Sequence, residues 1–312
     1  MSEATSDGVV RRSLDDAPVR VVSVRPGLIA RLKNLVNRRE LLVNLILSDI
    51  KIKYKSSSLG LLWSMISPAL SLCIYYLVFS IFLKNGIPNF VIYLFSGLIA
   101  WNMYQTSLNT ATGVIVDRAG LVKKVSFPRE ILALANVGAA VVYFVVQVGV
   151  LAIFQLIAGH APAWNFMWLM PIAFIALYLF TAAMAMLMSA ITVYLRDVKH
   201  LIEVILQLWF YMTPIVYSYE NTLSPALHRH GLTLLYFLNP LTPIVLTFQR
   251  IFYGDTSVHS LVAPHQLMQV LPTWSMTKFF EINAGLVGIM IVFFLVAEVL
   301  FGRLETNFES EL

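Results

Sequence analysis

The sequence predicts an all-α membrane protein with six transmembrane helices and both termini on the cytoplasmic side. Three observations point there. Of the 312 residues 58% are hydrophobic and only 12% are charged, against roughly 45–50% apolar and about 25% charged in soluble domains. Charged residues are missing from several stretches long enough to cross a bilayer. The basic residues gather on alternate connections between those stretches. Water-soluble, disordered and fibrous classes are thereby excluded.

Residues 1–37 are polar and charged, with no apolar core ahead of a cleavage site, so they are read as a flexible cytoplasmic tail and not a signal peptide. In 38–55 the pairs change character. Leu42 with Ile46, and Val43 with Leu47 and Ile50, recur at helical spacing, and Lys51, Lys53 and Lys55 follow. This predicts an amphipathic helix in the inner headgroup layer, with its lysines drawn to anionic lipid. A cytosolic helix packed on a partner has the same pattern.

Residues 56–312 form the six-span domain. No charged side chain occurs from Leu61 to Leu83, from Asn85 to Val116, or over the 65 residues from Ile131 to Leu195. The last stretch is too long for one span of about 20 residues, and Gly159-His160-Ala161-Pro162-Ala163 divides it with a turn. Further apolar runs cover 204–219 and 282–297. The expected spans are 61–83, 90–112, 131–158, 167–194, 201–219 and 282–302. Each is helical because lipid supplies no hydrogen bonds to the backbone. Residues 231–249 are also uncharged, but Asn239-Pro240 and Pro243 fall in their middle. They are expected as part of an outer-side hairpin of two short helices, near 224–236 and 241–253, between spans five and six. A seventh span is the alternative, and it would place the C-terminus outside.

Orientation follows from Lys and Arg. Eleven precede the first span, Arg118, Lys123, Lys124 and Arg129 follow the second, Arg196 and Lys199 follow the fourth, and Arg303 lies near the end. The opposite side holds Lys84, Arg229, Arg250 and Lys278, so the division is eighteen against four. The net charge of +5 thus reports topology and not a nucleic-acid partner.

Several chemistries are absent. A single cysteine, Cys73, excludes a disulfide framework, a thiolate metal site and a redox pair. No G-x-x-x-x-G-K-[ST] occurs, so the chain does not hydrolyse ATP by itself, and no H-E-x-x-H, C-x-x-C or G-x-S-x-G is present. No Asp-x-Asp pair offers a metal for a nucleotide sugar, and the loop histidines His228, His230, His259 and His265 read as solvated, so no metal site is predicted. Ion-coupled transport needs charges deep in the spans. The one candidate is Glu298, near the cytoplasmic end of span six and close to Arg303. Energy must then come from an ATPase on another chain, docked on the cytoplasmic loops. The loop from Asp117 to Glu130 alternates charge with apolar residues, is read as a short helix, and carries Pro128 where the next span starts. The second loop runs from Tyr194 to His200. Plain solvated loops that set topology have the same composition.

At these residues the chain resembles the permease subunits of polysaccharide ABC exporters, the Wzm-type group that exports O-antigen and teichoic acid. The likeness lies in Asp49-Ile50-Lys51-Ile52-Lys53-Tyr54-Lys55 with Leu59-Gly60-Leu61-Leu62-Trp63 and Pro68, in residues 121–130, in residues 195–200, and in Thr213-Pro214-Ile215-Val216-Tyr217 with Asn239-Pro240-Leu241-Thr242-Pro243. It covers roughly residues 38–312. The basic tail and short first outer loop look closest to actinobacterial members that export lipid-linked galactan.

The resemblance implies a homodimeric pore in the bacterial cytoplasmic membrane above two cytosolic ABC ATPase chains, with ATP and Mg bound there and no cofactor in this chain. Residues 38–50 would form the interface helix. Coupling to the ATPase falls to Leu121, Val122, Lys123, Lys124, Phe127, Pro128, Arg129 and Glu130, with Arg196, Asp197 and His200 as a second contact. The implied cargo is a polysaccharide on a polyprenyl diphosphate. Sugars slide over flat aromatic faces, for which Tyr75, Tyr76, Trp101, Tyr104, Trp209, Phe210 and Tyr211 are the candidates. Membrane-interface belts are rich in the same residue types. Lys51, Lys53 and Lys55 are candidates for the diphosphate headgroup, or for ordinary phospholipid. Other functions compatible with the residues are an ABC permease for small hydrophobic drugs or lipids, and a membrane glycosyltransferase or scaffold.

Overall fold

The computed structural model describes residues 27–54, 63–82, 87–125, 127–220, 229, 236–259 and 267–312. Its long helices follow the charge-free stretches. α1 (Leu28–Asn37) and α2 (Arg39–Tyr54) precede α3 (Trp63–Tyr75), which continues as a π-helix over Tyr76–Phe82. Next come α4 (Phe90–Ala111), the short α5 (Val114–Asp117) and α6 (Ala119–Lys124), α7 (Glu130–Ala158), α8 (Leu169–Tyr194) and α9 (Val198–Met212). α10 (Leu241–Phe252), a two-stranded antiparallel ribbon of β1 (Ser257–His259) and β2 (Leu267–Gln269), α11 (Met276–Leu304) and α12 (Phe308–Glu311) complete the chain. Among the described residues three helices are long and apolar enough to cross a membrane: α7, α8, and α11 with its extension to Asn307.

Helix ends have local causes. α7 stops at Gly159, whose φ of 66° is the left-handed conformation that closes a helix without a Cβ clash. α11 starts at Ser275, whose hydroxyl accepts from the Lys278 amide at 3.3 Å. Its first helical residue, Met276, is six residues before the charge-free core at 282, because Lys278 and Glu281 lie within the helix's first turns and are no obstacle there.

α4 is the central helix. It packs against α7, α8, α9 and α10, and Trp101, Tyr104 and Ile99 are sealed from solvent. α8 lies lengthwise along α11, and α2 and α3 lie against α7. The outward faces of α7 and α11, with Val145, Ile153, Leu156, Ile289 and Val292, are apolar and exposed, as a lipid phase requires.

Two expectations are corrected here. Span five does not run to 219: α9 ends at Met212, because Pro214 has no amide hydrogen to continue the ladder. At about 1.5 Å per residue its 15 residues reach about 22 Å. The tail is not wholly irregular either, since α1 occupies 28–37. Of the outer hairpin, the first arm falls largely outside the described residues. The second arm is α10, and eleven of its side chains are buried, among α4, α8 and α11.

The break after α9 is satisfied by protein groups. Gln249 donates to the Pro214 carbonyl at 3.0 Å, Tyr93 to that of Tyr217 at 2.8 Å, and Ser218 to that of Val270 at 2.8 Å. Asn239 fastens the start of α10. Its Oδ1 accepts from the Trp209 indole at 2.9 Å and the Leu241 amide at 3.1 Å, and its Nδ2 donates to Thr213 at 3.0 Å. Asn239→Ala should therefore cost about 1–3 kcal/mol, since a buried donor is left without a partner. Tryptophan-monitored denaturation in detergent reads this, and an unchanged midpoint would show that these bonds do not hold α10.

Candidate functional site

One end of the bundle carries α1, α2, α5, α6, the 195–200 loop and the C-terminal helix, and ionic contacts join them. α5 and α6 fold the connection between α4 and α7 into two short turns. Val114, Ile115 and Val122 are buried and pin it. Leu121, at 38%, and Val125, at 51%, are exposed together with Lys123 and Lys124. The connection thus has an anchored face and a free face of mixed apolar and basic character. Phe127, Pro128 and Arg129 lead back half-buried to α7. Glu130 sits in its first turn, where a carboxylate opposes the positive end of the helix dipole. Arg196, Asp197 and His200 are exposed.

Ion pairs bracket this connection on both sides. Before α6, Asp117 meets Lys199 at 3.5 Å and Arg118 pairs with Asp49 of α2. After it, Arg31 of α1 reaches Glu130 at 3.3 Å, Glu298 at 3.1 Å and Glu305 at 3.1 Å. Arg129 donates to the Glu305 carbonyl at 3.0 Å. The exposed Asp117–Lys199 pair is worth about 1 kcal/mol or less. Loss of one partner from a buried pair costs about 3–5 kcal/mol, and Glu298 has no exposed side-chain surface. Burial draws the Arg31 pKa down, but Glu130, Glu298 and Glu305 outweigh it, so the net shift is upward.

This corrects the expected surroundings of Glu298. Its ionic partner is Arg31, 267 residues away, and not the nearby Arg303. Arg31 and Glu305 were absent from the sequence-derived candidates. A usable signal existed: Arg31 falls with Leu28, Leu32 and Leu35 on one helical stripe, and a charge on an apolar stripe requires a buried partner.

α2 is seated tightly on α7. A Cβ at Gly138 would overlap the Ile46 side chain, so any larger residue there would force Ile46 to shift. Leu42 and Leu45 face the core, while Val43 and Leu47 are about half exposed. Lys51 is exposed; Lys53 is described by its backbone within α2, and Lys55 lies outside the described residues.

Four of the aromatic candidates come together in mid-bundle. Trp101 packs on Phe210 at 5.5 Å, and Tyr104 on Trp209 at 5.5 Å and Phe180 at 5.2 Å. Trp101 and Tyr104 are buried within this single chain. Tyr76, at 50%, is exposed on the π-helical continuation of α3 and Tyr211, at 64%, on α9, and Tyr75 is half-buried. No group of three or more metal-ligating side chains occurs among the described residues.

Residues 40–253 match the family model described as ABC-2 type transporter. The chain belongs to this family. It is similar to the O-antigen export system permease protein RfbA of Myxococcus xanthus, 30% identical over 259 residues, covering 81% of this chain and 96% of the relative. It is also similar to an O-antigen export system permease protein RfbA of Klebsiella pneumoniae, 30% identical over 217 residues, covering 70% of this chain and 82% of the relative. The resemblance to polysaccharide-exporter permeases thus has independent support, and this ABC-2 chain is a multi-pass membrane protein. The family segment takes in the 117–130 loop and α10 but ends before α11, and it begins after Arg31.

The Gly138–Ile46 contact yields a test for this ABC-2 subunit. Gly138→Ala should overpack the α2–α7 seam and lower stability by about 1–3 kcal/mol. Adding Ile46→Ala should return part of that loss. Melting curves of the purified single and double variants check it; additive losses would mean that α2 is not seated at this glycine.

Proposed function

We propose that the chain is the permease subunit of an ATP-driven exporter that moves a lipid-linked polysaccharide across the bacterial cytoplasmic membrane. Two copies form the pore, and two cytosolic ABC ATPase chains sit beneath it. In this reading α3 with its π-helical continuation, α4, α7, α8, α9 and α11 are the six spans, and both termini face the cytoplasm. α1 and the end of α11 meet through Arg31, which supports one side for both termini, and the excess of basic residues there supports the cytoplasmic side.

The observation that carries this reading is the free face of the 117–130 connection in a chain of the ABC-2 family. Leu121, Lys123, Lys124 and Val125 project beyond a buried Val122 anchor. Such a face fits a groove on an ATPase, with Arg196, Asp197 and His200 as a second contact. ATP and Mg belong to that partner. When the groove shifts, the connection moves with α7, to which it is joined directly.

The polysaccharide cargo is drawn from the similar O-antigen export permeases of Myxococcus xanthus and Klebsiella pneumoniae. A polyprenyl diphosphate carrier, with galactan, O-antigen-like or teichoic-acid-like polymers as the candidates, is the finer part of the proposal. Tyr76 and Tyr211 would offer ring faces to a path between two copies, backed by Tyr75, Trp101, Tyr104, Trp209 and Phe210. Lys51, Lys53 and Lys55 would meet the diphosphate or inner-leaflet phospholipid.

Reversing Lys123 and Lys124 to Glu should leave insertion of the chain intact and separate ATP hydrolysis from export. The readouts are MgATP turnover by the co-purified complex and polysaccharide at the surface of a complemented deletion strain. Unchanged export would remove this connection from the coupling contact.

A further inference from the structure

The densest set of charges in the described structure lies beside the free face, not on it. One guanidinium, Arg31, reaches three carboxylates: Nη2 to Glu130 Oε2 at 3.3 Å, Nε to Glu298 Oε1 at 3.1 Å, and Nη2 to Glu305 Oε2 at 3.1 Å. We propose that Arg31 is a positioning residue that locks the start of α7 to the end of α11, so that motion of the 117–130 connection reaches the last helix as well as α7. The proposal rests on the permease reading above.

The geometry explains why one residue carries this task. α7 and α11 each pack along α8, and the cluster joins them directly. Glu130 opens α7, Glu298 lies in the last turns of α11, and Glu305 follows it. Arg129 holds Glu305 as well, with Nη1 donated to its carbonyl at 3.0 Å and Nε 3.9 Å from its carboxylate. Without Arg31, Glu130 and Glu298 would lose the cation they share while Glu305 kept its contact to Arg129, and like charges at short range in a poorly solvated site push apart. The planar fork of arginine addresses several oxygens at once, which a lysine ammonium does not.

The backbone is shaped for this side chain. A Cβ at Gly302 of α11 would land on the Arg31 guanidinium. Leu35, on the same stripe, packs α1 against the core, with Leu28 and Leu32 half-buried beside it in the helix. Both Arg31 and α11 lie outside the segment matched to the ABC-2 family, residues 40–253. The lock therefore joins the matched segment, through Glu130, to elements on either side of it.

The test uses the complex of full-length chain with its co-purified ATPase, and surface polysaccharide of a complemented deletion strain. Arg31→Ala and Gly302→Ala should lower the stability of the chain yet still give assembled complex, with MgATP turnover per complex near the wild-type level. Polymer exported per ATP should fall by about tenfold, a usual size for coupling between sites. Arg31→Lys should recover part of the loss. In the Arg31→Ala background Gly302→Ala should add nothing, because the side chain it displaces is gone.

Export per ATP unchanged in Arg31→Ala would overturn the proposal, as would additive losses in the double variant. Loss of assembled complex in both single variants would assign the cluster a purely structural role, and also overturn it. A wild-type complex that exports nothing with ATP would instead refute the permease reading, and the lock with it.

Discussion

Hydrocarbon offers no hydrogen bonds, so every backbone group within it must find a partner in the protein. The helices α7, α8 and α11 meet that requirement alone. The segment after α9 does not, because Pro214 interrupts it. The centre of the molecule is organised around this interruption. Gln249 and Tyr93 supply donors to the carbonyls of Pro214 and Tyr217, Ser218 ties the segment to Val270, Asn239 ties the start of α10 to Trp209 and Thr213, and α4 is buried against the surrounding helices. A short helix too brief to cross is admissible because protein, and not lipid, surrounds it.

At the other extreme of polarity, the end bearing α1, α2, α5 and α6 is held by charge. Apolar packing of α6 itself is thin: Val122 is its one buried residue. Pairs to Asp49, Lys199, Glu130 and Glu305 hold the flanks of the connection and leave its outer face unengaged. Rigid edges with a free face give the arrangement a lever's character, since a push on the face is not absorbed by its own hinges.

The long elements were legible because their cause is compositional. Residues 131–158 and 167–194 correspond to Glu130–Ala158 and Leu169–Tyr194 within two residues, since Gly159 and the lack of charge act locally. Span five was overextended because hydropathy registers apolar side chains and not the amide that Pro214 lacks. Span six was placed to start late because Lys278 and Glu281 were excluded as charges, although a helix tolerates them near its end. The exposed residues of the candidate site, Leu121, Lys123, Lys124, Arg196 and His200, were legible from alternating charge in loops. The partner of Glu298 was not, because no local pattern links positions 31 and 298. The Arg31 stripe shows that a partner was needed without saying which.

That separation has a consequence for how the chain is made. Arg31 leaves the ribosome early, whereas Glu298 and Glu305 follow 267 and 274 residues later. Synthesis runs from the N-terminus, so until α11 has been made Arg31 has, of its three carboxylates, Glu130 alone. The cluster therefore closes only once α11 has been made, so the last long helix completes a site that the first helix opens.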